Sequence, residues 1–330
     1  MDGNKNTSDY QAAGKYNYSL RHRLSFYLIY LRVNLVILIL LVPETLKGLF
    51  HLVFPKKPKC IAGQVALVTG GANGLGRAIA FRLAKEKCLI AVADIDFLAA
   101  QQTAKDIEEK YNVKALPFTA DVSKYDQVMR LRSDIENTLG NVDILVNNAG
   151  LLTMDLSLRE KTPEDIQKVI DVNLTSHFWT NRAFLDGMVK RKQGHVVAIS
   201  SFSGKMTIPC AVAYCTTKFG VAGFMDALFD ELCLLEQDFI KTTTVYPTFI
   251  NTQKALVDVV AQNGNMPFME PELAASIIVN GILRNRRNIY IPSFMKNATI
   301  LNNMPDRIIK YVKTKGIDTS QMKTERLQRV

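Results

Sequence analysis

The sequence predicts an α/β protein whose core is a parallel sheet, preceded by an apolar N-terminal segment. From residue 61 onward, short apolar runs rich in β-branched residues alternate with stretches of helical periodicity, which is the pattern of repeated strand–helix units. A glycine-rich turn joins the first of these strands to its helix. The apolar segment is residues 24–42, in which Arg32 and Asn34 are the only strongly polar positions.

Composition and charge exclude several classes of protein. The chain has 330 residues, of which 48% are hydrophobic and 22% charged, so it can bury a large core and is not a disordered protein. The net charge of +10 belongs to the two ends, because residues 61–283 hold 21 Lys or Arg against 25 Asp or Glu. A nucleic-acid binder carries its basic patch on the folded module. We therefore predict no nucleic-acid partner and attraction of the basic ends to an anionic membrane surface.

Cysteine and histidine usage points away from a metal site. The five cysteines are an odd number without a Cys-x-x-Cys pair, which disfavours a disulfide framework and a structural zinc site. His177 and His195 have no metal-ligand spacing around them, so we expect structural roles for both. No metal is predicted.

The apolar segment is long enough to cross a membrane. As a helix, residues 24–42 would be roughly 28 Å long, close to the ~30 Å hydrocarbon core of a bilayer. Pro43 is expected to break this helix, and residues 45–54 form a second apolar stretch too short to span. Basic residues lie on both sides of the segment, so the positive-inside rule leaves both a single span and a one-leaflet hairpin open.

The first predicted strand, residues 64–70, leads into a phosphate-binding turn. The turn reads TGGANGLG over residues 69–76 and opens a helix, whose free N–H groups and positive dipole end attract an anion. Gly70 allows the tight turn, Gly74 lets the backbone approach a pyrophosphate, and Gly76 lets the helix pack on the strand.

Asp94 ends the next predicted strand, 24 positions after Gly70. A carboxylate at this place can hydrogen-bond the adenosine ribose hydroxyls; the alternative is an N-cap of the following helix. Because the carboxylate repels a 2′-phosphate and neither Asn73 nor Ile95 supplies a cation, the predicted cofactor is NAD rather than NADP.

Tyr214 and Lys218 are separated by four positions in a stretch of helical periodicity, so they share one face of a helix. An ammonium in that position can lower the pKa of the phenol from about 10 towards neutrality. Such a tyrosine can act as a general acid or base at a carbinol oxygen. Ser201 ends a predicted strand thirteen residues upstream, and Asn173 lies within a predicted helix.

Together these residues resemble the short-chain dehydrogenase/reductase family over about residues 61–292. The motifs appear in family order: TGGANGLG, Asp94, Asp121-Val122, NNAG at 147–150, Asn173, Ser201, YCTTK at 214–218, and Pro247 with Thr252. The resemblance implies one catalytic domain with a doubly wound (Rossmann) seven-stranded parallel sheet of order 3-2-1-4-5-6-7. One departure is Thr248, where the family often has glycine after the proline.

The resemblance also implies the site residues. Tyr214 would exchange a proton with the substrate oxygen, Ser201 would hold that oxygen, Lys218 would lower the tyrosine pKa and hold the nicotinamide ribose, and Asn173 would position a relay water. The implied cofactor-binding residues are Gly70, Asn73, Gly74, Leu75, Gly76, Asp94, Asp121, Val122, Asn148, Ala149, Gly150, Tyr214, Lys218, Pro247 and Thr252.

The apolar segment, the PKKPK spacer, HFW at 177–179 and KTTTVYPTFINT at 241–252 resemble the membrane-associated branch that holds 17-beta-hydroxysteroid dehydrogenase type 11 and nearby retinol dehydrogenases. This implies a homodimer at the endoplasmic reticulum membrane or a lipid droplet, with the catalytic domain facing the cytosol. The implied substrate is a lipophilic alcohol or carbonyl compound of the retinol, steroid, isoprenoid or fatty alcohol class. A scaffold protein with little turnover and an NADPH-dependent carbonyl reductase are the alternatives.

The predicted organisation is then a series of five segments. They are a cytosolic or luminal leader (1–23), a hydrophobic anchor or hairpin (24–54), a basic linker (55–60), the short-chain dehydrogenase domain (61–292) and a basic amphipathic tail (293–330). Residues 249–272 are a predicted substrate lid. The tail has Ile308, Ile309 and Val312 at helical spacing, which fits either a membrane-surface helix or a solvated terminus.

Overall fold

The computed structural model describes residues 20–54, 56–152, 158–252 and 268–315. The described residues fall into two compact units, one ending at Lys57 and the other beginning at Pro58. The first unit holds helix α1, Leu20–Val53. The second holds the sheet and its helices. Residues 253–267, the middle of the predicted lid, and the tail beyond 315 lie outside the described residues.

Helix α1 runs without a break through Pro43, so the helix end predicted at this proline is wrong. Proline removes one backbone hydrogen bond, but the helical bonds on either side continue, and the Thr45 hydroxyl donates to the Leu41 carbonyl at 2.6 Å. By length and composition, Arg23–Lys47 is able to cross a membrane.

Seven strands form the sheet of the second unit. Their bounds are β1 Val65–Thr69, β2 Leu89–Asp94, β3 Ala115–Thr119, β4 Val142–Asn147, β5 Gly194–Ile199, β6 Ile240–Pro247 and β7 Asn288–Ile291. The strands β1 and β5 are buried along their whole length, which is why the sequence shows them as continuous apolar runs rather than as alternating patterns.

Helices connect successive strands, and two further helices come after β7 in the described part of the chain. Their bounds are α2 Gly74–Lys85, α3 Phe97–Tyr111, α4 Tyr125–Thr138, α5 Pro163–Ile170, α6 Ser176–Lys190, α7 Val212–Leu234, α8 Pro271–Leu283, α9 Met295–Ala298 and α10 Asp306–Lys315. A π-helix, Asp171–Thr175, joins α5 to α6. Short 3-10 helices cover Phe202–Gly204 and Thr299–Asn303.

The strands lie in the order β3-β2-β1-β4-β5-β6-β7, and all neighbours are parallel. This confirms the predicted doubly wound sheet and its order. The strands β1 to β3 are added in one direction across the sheet, and β4 to β7 are added in the other, starting beside β1. The direction of winding therefore reverses between β1 and β4. A reversal of this kind opens a crevice at the carboxyl ends of the strands, where ligands bind.

Each face of the sheet carries its own hydrophobic core. Helices α2, α3 and α8 pack on one face around residues such as Ile79, Ile107 and Ile278. Helices α4, α6 and α7 pack on the other around Leu131 and Phe184. With both faces covered, the loops at the carboxyl ends of the strands are left to form the site.

Candidate active site

The glycine-rich turn follows β1 and is held in a conformation that only glycine tolerates easily. Gly70 and Gly74 have φ values of +61° and +55°, in the left-handed region that side chains disfavour. A Cβ atom on Gly76 would lie 2.0 Å from the carbonyl oxygen of Gly70. The first turn of α2 is therefore pressed against the end of β1, which leaves its N–H groups facing the crevice.

Asn148 holds this turn from the neighbouring strand. Its side-chain nitrogen donates to the carbonyl oxygens of Thr69 and Gly70, both at 3.0 Å. The Thr69 hydroxyl oxygen accepts from the backbone N–H groups of Asn148 and Ala149 at 3.0 and 3.2 Å. The NNAG motif thus locks the phosphate turn to the end of β4, in addition to lining the crevice.

Asp94 supports the same turn from the end of β2. One carboxylate oxygen accepts from the Ala72 N–H at 3.0 Å, and the other accepts from the Asp96 N–H at 3.2 Å. The N-cap of α3 is Asp96, whose side chain accepts from the Ala99 N–H. Asp94 is therefore not the helix cap considered as its alternative role, and its carboxylate lies at the edge of the crevice.

The crevice is a cavity of about 1180 Å³ at the carboxyl ends of the strands. Twelve of the predicted cofactor residues line it: Gly70, Asn73, Gly74, Leu75, Gly76, Asp94, Asp121, Val122, Asn148, Ala149, Gly150 and Thr252. The remaining three, Tyr214, Lys218 and Pro247, are not part of its wall. A cavity this large, with a glycine turn at a helix N-terminus and an acidic residue at one edge, fits a dinucleotide.

The sequence did not indicate one wall of this cavity. Helix α5 and the π-helix after it contribute Pro163, Glu164, Gln167, Lys168, Asp171 and Val172. No motif marks these residues, because only the packing of α5 beside the crevice brings them there. The carboxylate of Asp121 is held in place by its own loop, because it accepts hydrogen bonds from the N–H and the hydroxyl of Ser123 at 2.9 and 2.7 Å.

Tyr214, Ser201 and Lys218 converge where β5 ends and α7 begins. A side-chain hydrogen bond links Tyr214 to Ser201, and the Lys218 Nζ lies 5.7 Å from the centre of the Tyr214 ring. Ser201 also accepts from the Ser203 N–H at 3.0 Å, which fixes its hydroxyl at the start of a 3-10 helix. Lys218 is buried and donates to the Ile199 carbonyl at 3.0 Å.

Asn173 lies in the π-helix, completely buried. Its side-chain oxygen accepts from the Leu151 N–H at 2.7 Å, and its nitrogen donates to the Leu151 carbonyl at 2.8 Å and to the Thr217 hydroxyl at 3.3 Å. A Cβ atom on Gly150 would lie 3.4 Å from the Asn173 oxygen and 3.5 Å from the Lys218 Nζ. Asn173 and Lys218 therefore both lie against the segment that follows β4, and Lys218 in turn adjoins Tyr214.

The predicted lowering of the tyrosine pKa is wrong for this structure. Burial raises the pKa of Tyr214 to about 12, and the hydrogen bond to Ser201 acts against that rise without cancelling it. Burial lowers the pKa of Lys218 to about 8. The attraction between an ammonium and a phenolate favours the charged phenol, but removing both groups from water disfavours both charges, and in this structure the second effect is the larger.

The two histidines are interior residues that are not members of this cluster. His195 Nδ1 lies 2.9 Å from the Lys59 Nζ, and its Nε2 lies 2.8 Å from the Thr243 hydroxyl. His177 is buried, its Nδ1 has no hydrogen-bond partner among the described residues, and burial, with a smaller effect of the Lys218 charge, lowers its pKa to about 3. Lys59, predicted to belong to the basic linker, thus bonds to the core of the second unit.

Comparison with known proteins confirms the family. A family profile described as short chain dehydrogenase matches residues 64–259. Estradiol 17-beta-dehydrogenase 11 of Mus musculus is 35% identical over 286 residues, 86% of this chain and 94% of the relative. Short-chain dehydrogenase/reductase family 16C member 6 of Bos taurus is 36% identical over 260 residues, 78% of this chain and 82% of the relative.

A solved structure supports the fold. A short chain dehydrogenase/reductase from Burkholderia phymatum in complex with NAD superposes with a TM-score of 0.67 at 22% identity, covering 73% of this chain and 93% of its own. With the motifs, the sheet order and the two relatives in agreement, the chain belongs to the short-chain dehydrogenase family, as an NAD(P)-dependent enzyme acting on alcohols.

Proposed function

We propose that the protein is a membrane-associated dehydrogenase that oxidises a lipophilic alcohol with NAD and uses Tyr214 as its general base. The observation that carries this proposal is the convergence of Ser201, Tyr214 and Lys218 beside a cavity shaped for a dinucleotide. A scaffold has no physical need for a buried lysine directed at a tyrosine. The presence of Ser201, Tyr214 and Lys218 together therefore supports an active enzyme.

Tyr214 takes the hydroxyl proton of the substrate while Ser201 donates a hydrogen bond to the same oxygen. Burial raises the pKa of the Tyr214 phenol to about 12, so the phenolate is a minor form, and we propose that the Lys218 ammonium beside its ring stabilises that form while the proton is transferred. When bound, the nicotinamide of the cofactor accepts the hydride. In the reverse direction Tyr214 returns the proton.

Asn173 is proposed to hold a water that passes protons to Lys218. Support comes from its placement, since Asn173 and Lys218 both approach Gly150. The amide of Asn173 is fixed by its two hydrogen bonds to Leu151. A residue so constrained can position a water without itself moving.

The proposed cofactor residues divide by place. The glycine turn from Gly70 to Gly76 would hold the pyrophosphate, Asp121 and Val122 the adenine, and Pro247 and Thr252 the nicotinamide amide and the phosphates. Asp94 binds the ribose hydroxyls, and its charge opposes a 2′-phosphate. The Asp94 carboxylate therefore makes NAD the preferred nucleotide.

Substrate class and location follow from the N-terminal helix and from the relatives. An apolar helix long enough to span a bilayer keeps the enzyme where lipophilic alcohols partition, on the endoplasmic reticulum or a lipid droplet with the catalytic domain in the cytosol. The name of one relative specifies estradiol, a steroid alcohol. Exposed Phe178 on α6 and Phe219 on α7 support a homodimer through these helices.

The test is turnover by the full chain in detergent micelles with retinol, steroid, isoprenoid and fatty alcohols. NADH absorbance reports the reaction, and NADP is compared as cofactor. We expect one class to react with NAD, and Tyr214→Phe to lower kcat/KM by about 10²–10⁴-fold while NAD affinity is kept. Tyr125→Phe, an exposed tyrosine on α4, is the matched control with unchanged activity.

Three outcomes would contradict the proposal. Undiminished turnover by Tyr214→Phe removes its role as the base. NAD binding without turnover of any class favours the scaffold alternative. A preference for NADP favours the carbonyl reductase alternative.

A further inference from the structure

The segment after β7 exposes large apolar side chains along its whole described length. Tyr311 is 69% exposed, Phe294 66% and Ile300 58%, and Met304 and Ile308 are also exposed. We call residues 294–315 the carboxyl-terminal segment. It follows directly on β7, whose Ile289 and Ile291 are buried, so the exposure begins where the sheet ends.

Basic residues accompany these apolar ones. Residues 294–315 hold five Lys or Arg against one Asp and no Glu, and Lys296 and Arg307 are exposed within the segment. An apolar surface alone would fit many partners, including a second copy of the chain. Apolar side chains interleaved with a large excess of positive charge fit the interface of a bilayer that contains anionic lipid.

The last helix has little to stabilise it in water. Helix α10 is ten residues long, and isolated helices of that length are marginal. Ile308 and Tyr311, one turn apart on it, are both exposed. A binding surface for these side chains would supply the stabilisation that the helix otherwise lacks.

We propose that the carboxyl-terminal segment binds the surface of a membrane containing anionic phospholipid, as a second contact besides α1. This rests on the proposed membrane association of the enzyme and adds a lipid preference to it. The contact would also restrict how the catalytic unit turns relative to the bilayer.

Amide hydrogen exchange of the full chain in lipid nanodiscs tests the proposal. Discs of phosphatidylcholine alone are compared with discs that also contain phosphatidylserine. We expect exchange of residues 306–315 to slow roughly tenfold in the anionic discs, because each basic residue near the surface strengthens binding several-fold. Salt at about 1 M should reverse this protection, since it screens surface charge.

The double variant Ile308→Glu with Tyr311→Glu should lose the protection while staying in the discs. Leu234→Glu, which changes a side chain that is 82% exposed at the end of α7, is the matched control and should keep it. Equal exchange in the two kinds of disc, or protection that ignores salt, would overturn the proposal even if the double variant failed to fold. Protection that grows with protein concentration would overturn it in favour of a second copy.

Retention in the discs during size-exclusion chromatography separates the two proposals. A chain that is retained without slowed exchange at 306–315 refutes only the second contact. A chain that is not retained refutes the proposed membrane association together with it.

Discussion

Lys218 and Lys59 lie in different parts of the catalytic unit, and burial lowers the pKa of each to about 8. Lys218 belongs to α7 beside Tyr214, and Lys59 precedes β1. By titration alone the two lysines are alike. A perturbed pKa is therefore not enough to identify which of them serves the reaction.

Their partners distinguish them. The Lys59 Nζ faces His195, whose other ring nitrogen contacts the Thr243 hydroxyl, and that hydroxyl donates to the Arg286 carbonyl at 2.7 Å. This chain has a single consistent direction, in which neutral His195 accepts from Lys59 and donates to Thr243. No member of this chain of bonds touches a catalytic residue, so Lys59 fastens the start of the unit to its core.

Lys218 has a different set of neighbours. Its one described hydrogen bond goes to a backbone carbonyl, that of Ile199, which cannot titrate. The ammonium has three donors, and its described neighbours include the Tyr214 ring and Gly150. Spare donors beside a titratable phenol are what proton transfer requires.

The largest effect expected from this comparison is on activity. Lys218→Met should lower kcat/KM by about 10²–10⁴-fold, because it removes the cation that lets Tyr214 ionise. Lys59→Met keeps the same apolar stem and should leave kcat/KM within about twofold, while unfolding becomes easier by about 1–3 kcal/mol because His195 Nδ1 loses its partner. Steady-state kinetics and urea unfolding of both variants give the answer. Similar losses of activity in the two would show that the comparison is mistaken.

The pH dependence of oxidation should be the next largest effect. The active form has a Tyr214 phenolate beside a Lys218 ammonium, one proton fewer than the form with both groups protonated. Since the Lys218 pKa is about 8, kcat/KM should rise about tenfold per pH unit below that pH and level off above it. Reduction needs the form in which Tyr214 and Lys218 are both protonated, so its kcat/KM should be constant below pH 8 and fall above it.

Lys59→Met serves as the control for this profile. Lys59 has the same lowered pKa of about 8, so the break could in principle belong to either lysine. We expect the break to stay in place in Lys59→Met. If it moves or disappears there, Lys59 and not Lys218 governs the profile.

Much of the fold was predictable because the signals that set it are local. Buried parallel strands such as β1 and β5 show as apolar runs, and the glycine turn is fixed by backbone sterics at Gly70 and Gly76. The sheet order came from the family resemblance and is confirmed. The helix end predicted at Pro43 was wrong because proline removes only one backbone hydrogen bond, and the helical bonds on either side of it maintain the helix.

The site was less predictable wherever it depends on packing. The α5 wall of the cavity carries no motif, and the π-helix around Asn173 has no sequence pattern distinct from an α-helix. Desolvation of Tyr214 depends on how much protein surrounds it, which spacing along a helix does not contain. The roles of the catalytic residues stay predictions until the variants are measured.

The smallest expected effect is on the pH dependence of stability, and it concerns the partner of Lys59. Burial first, then the charges of Lys59 and Lys241, lower the pKa of His195 well below its usual value, whereas the unfolded chain has a His pKa of about 6.5. Below that pH the unfolded state binds one more proton. The contribution of His195 to stability is therefore complete above about pH 6.5 and falls by about 1.4 kcal/mol for each pH unit below it.

His195→Gln should remove this slope and, by weakening the bond to Lys59, lower the free energy of unfolding at pH 7 by about 1–3 kcal/mol. His177→Gln is the matched variant: it removes the proton uptake of a second buried histidine, whose Nδ1 has no partner to lose in the part of the chain that the structure describes. Urea unfolding between pH 5 and pH 7 should then show both variants with a flatter slope and only His195→Gln weaker at pH 7. Equal destabilisation of the two at pH 7 would mean that the Lys59–His195 contact adds nothing to the stability of the fold.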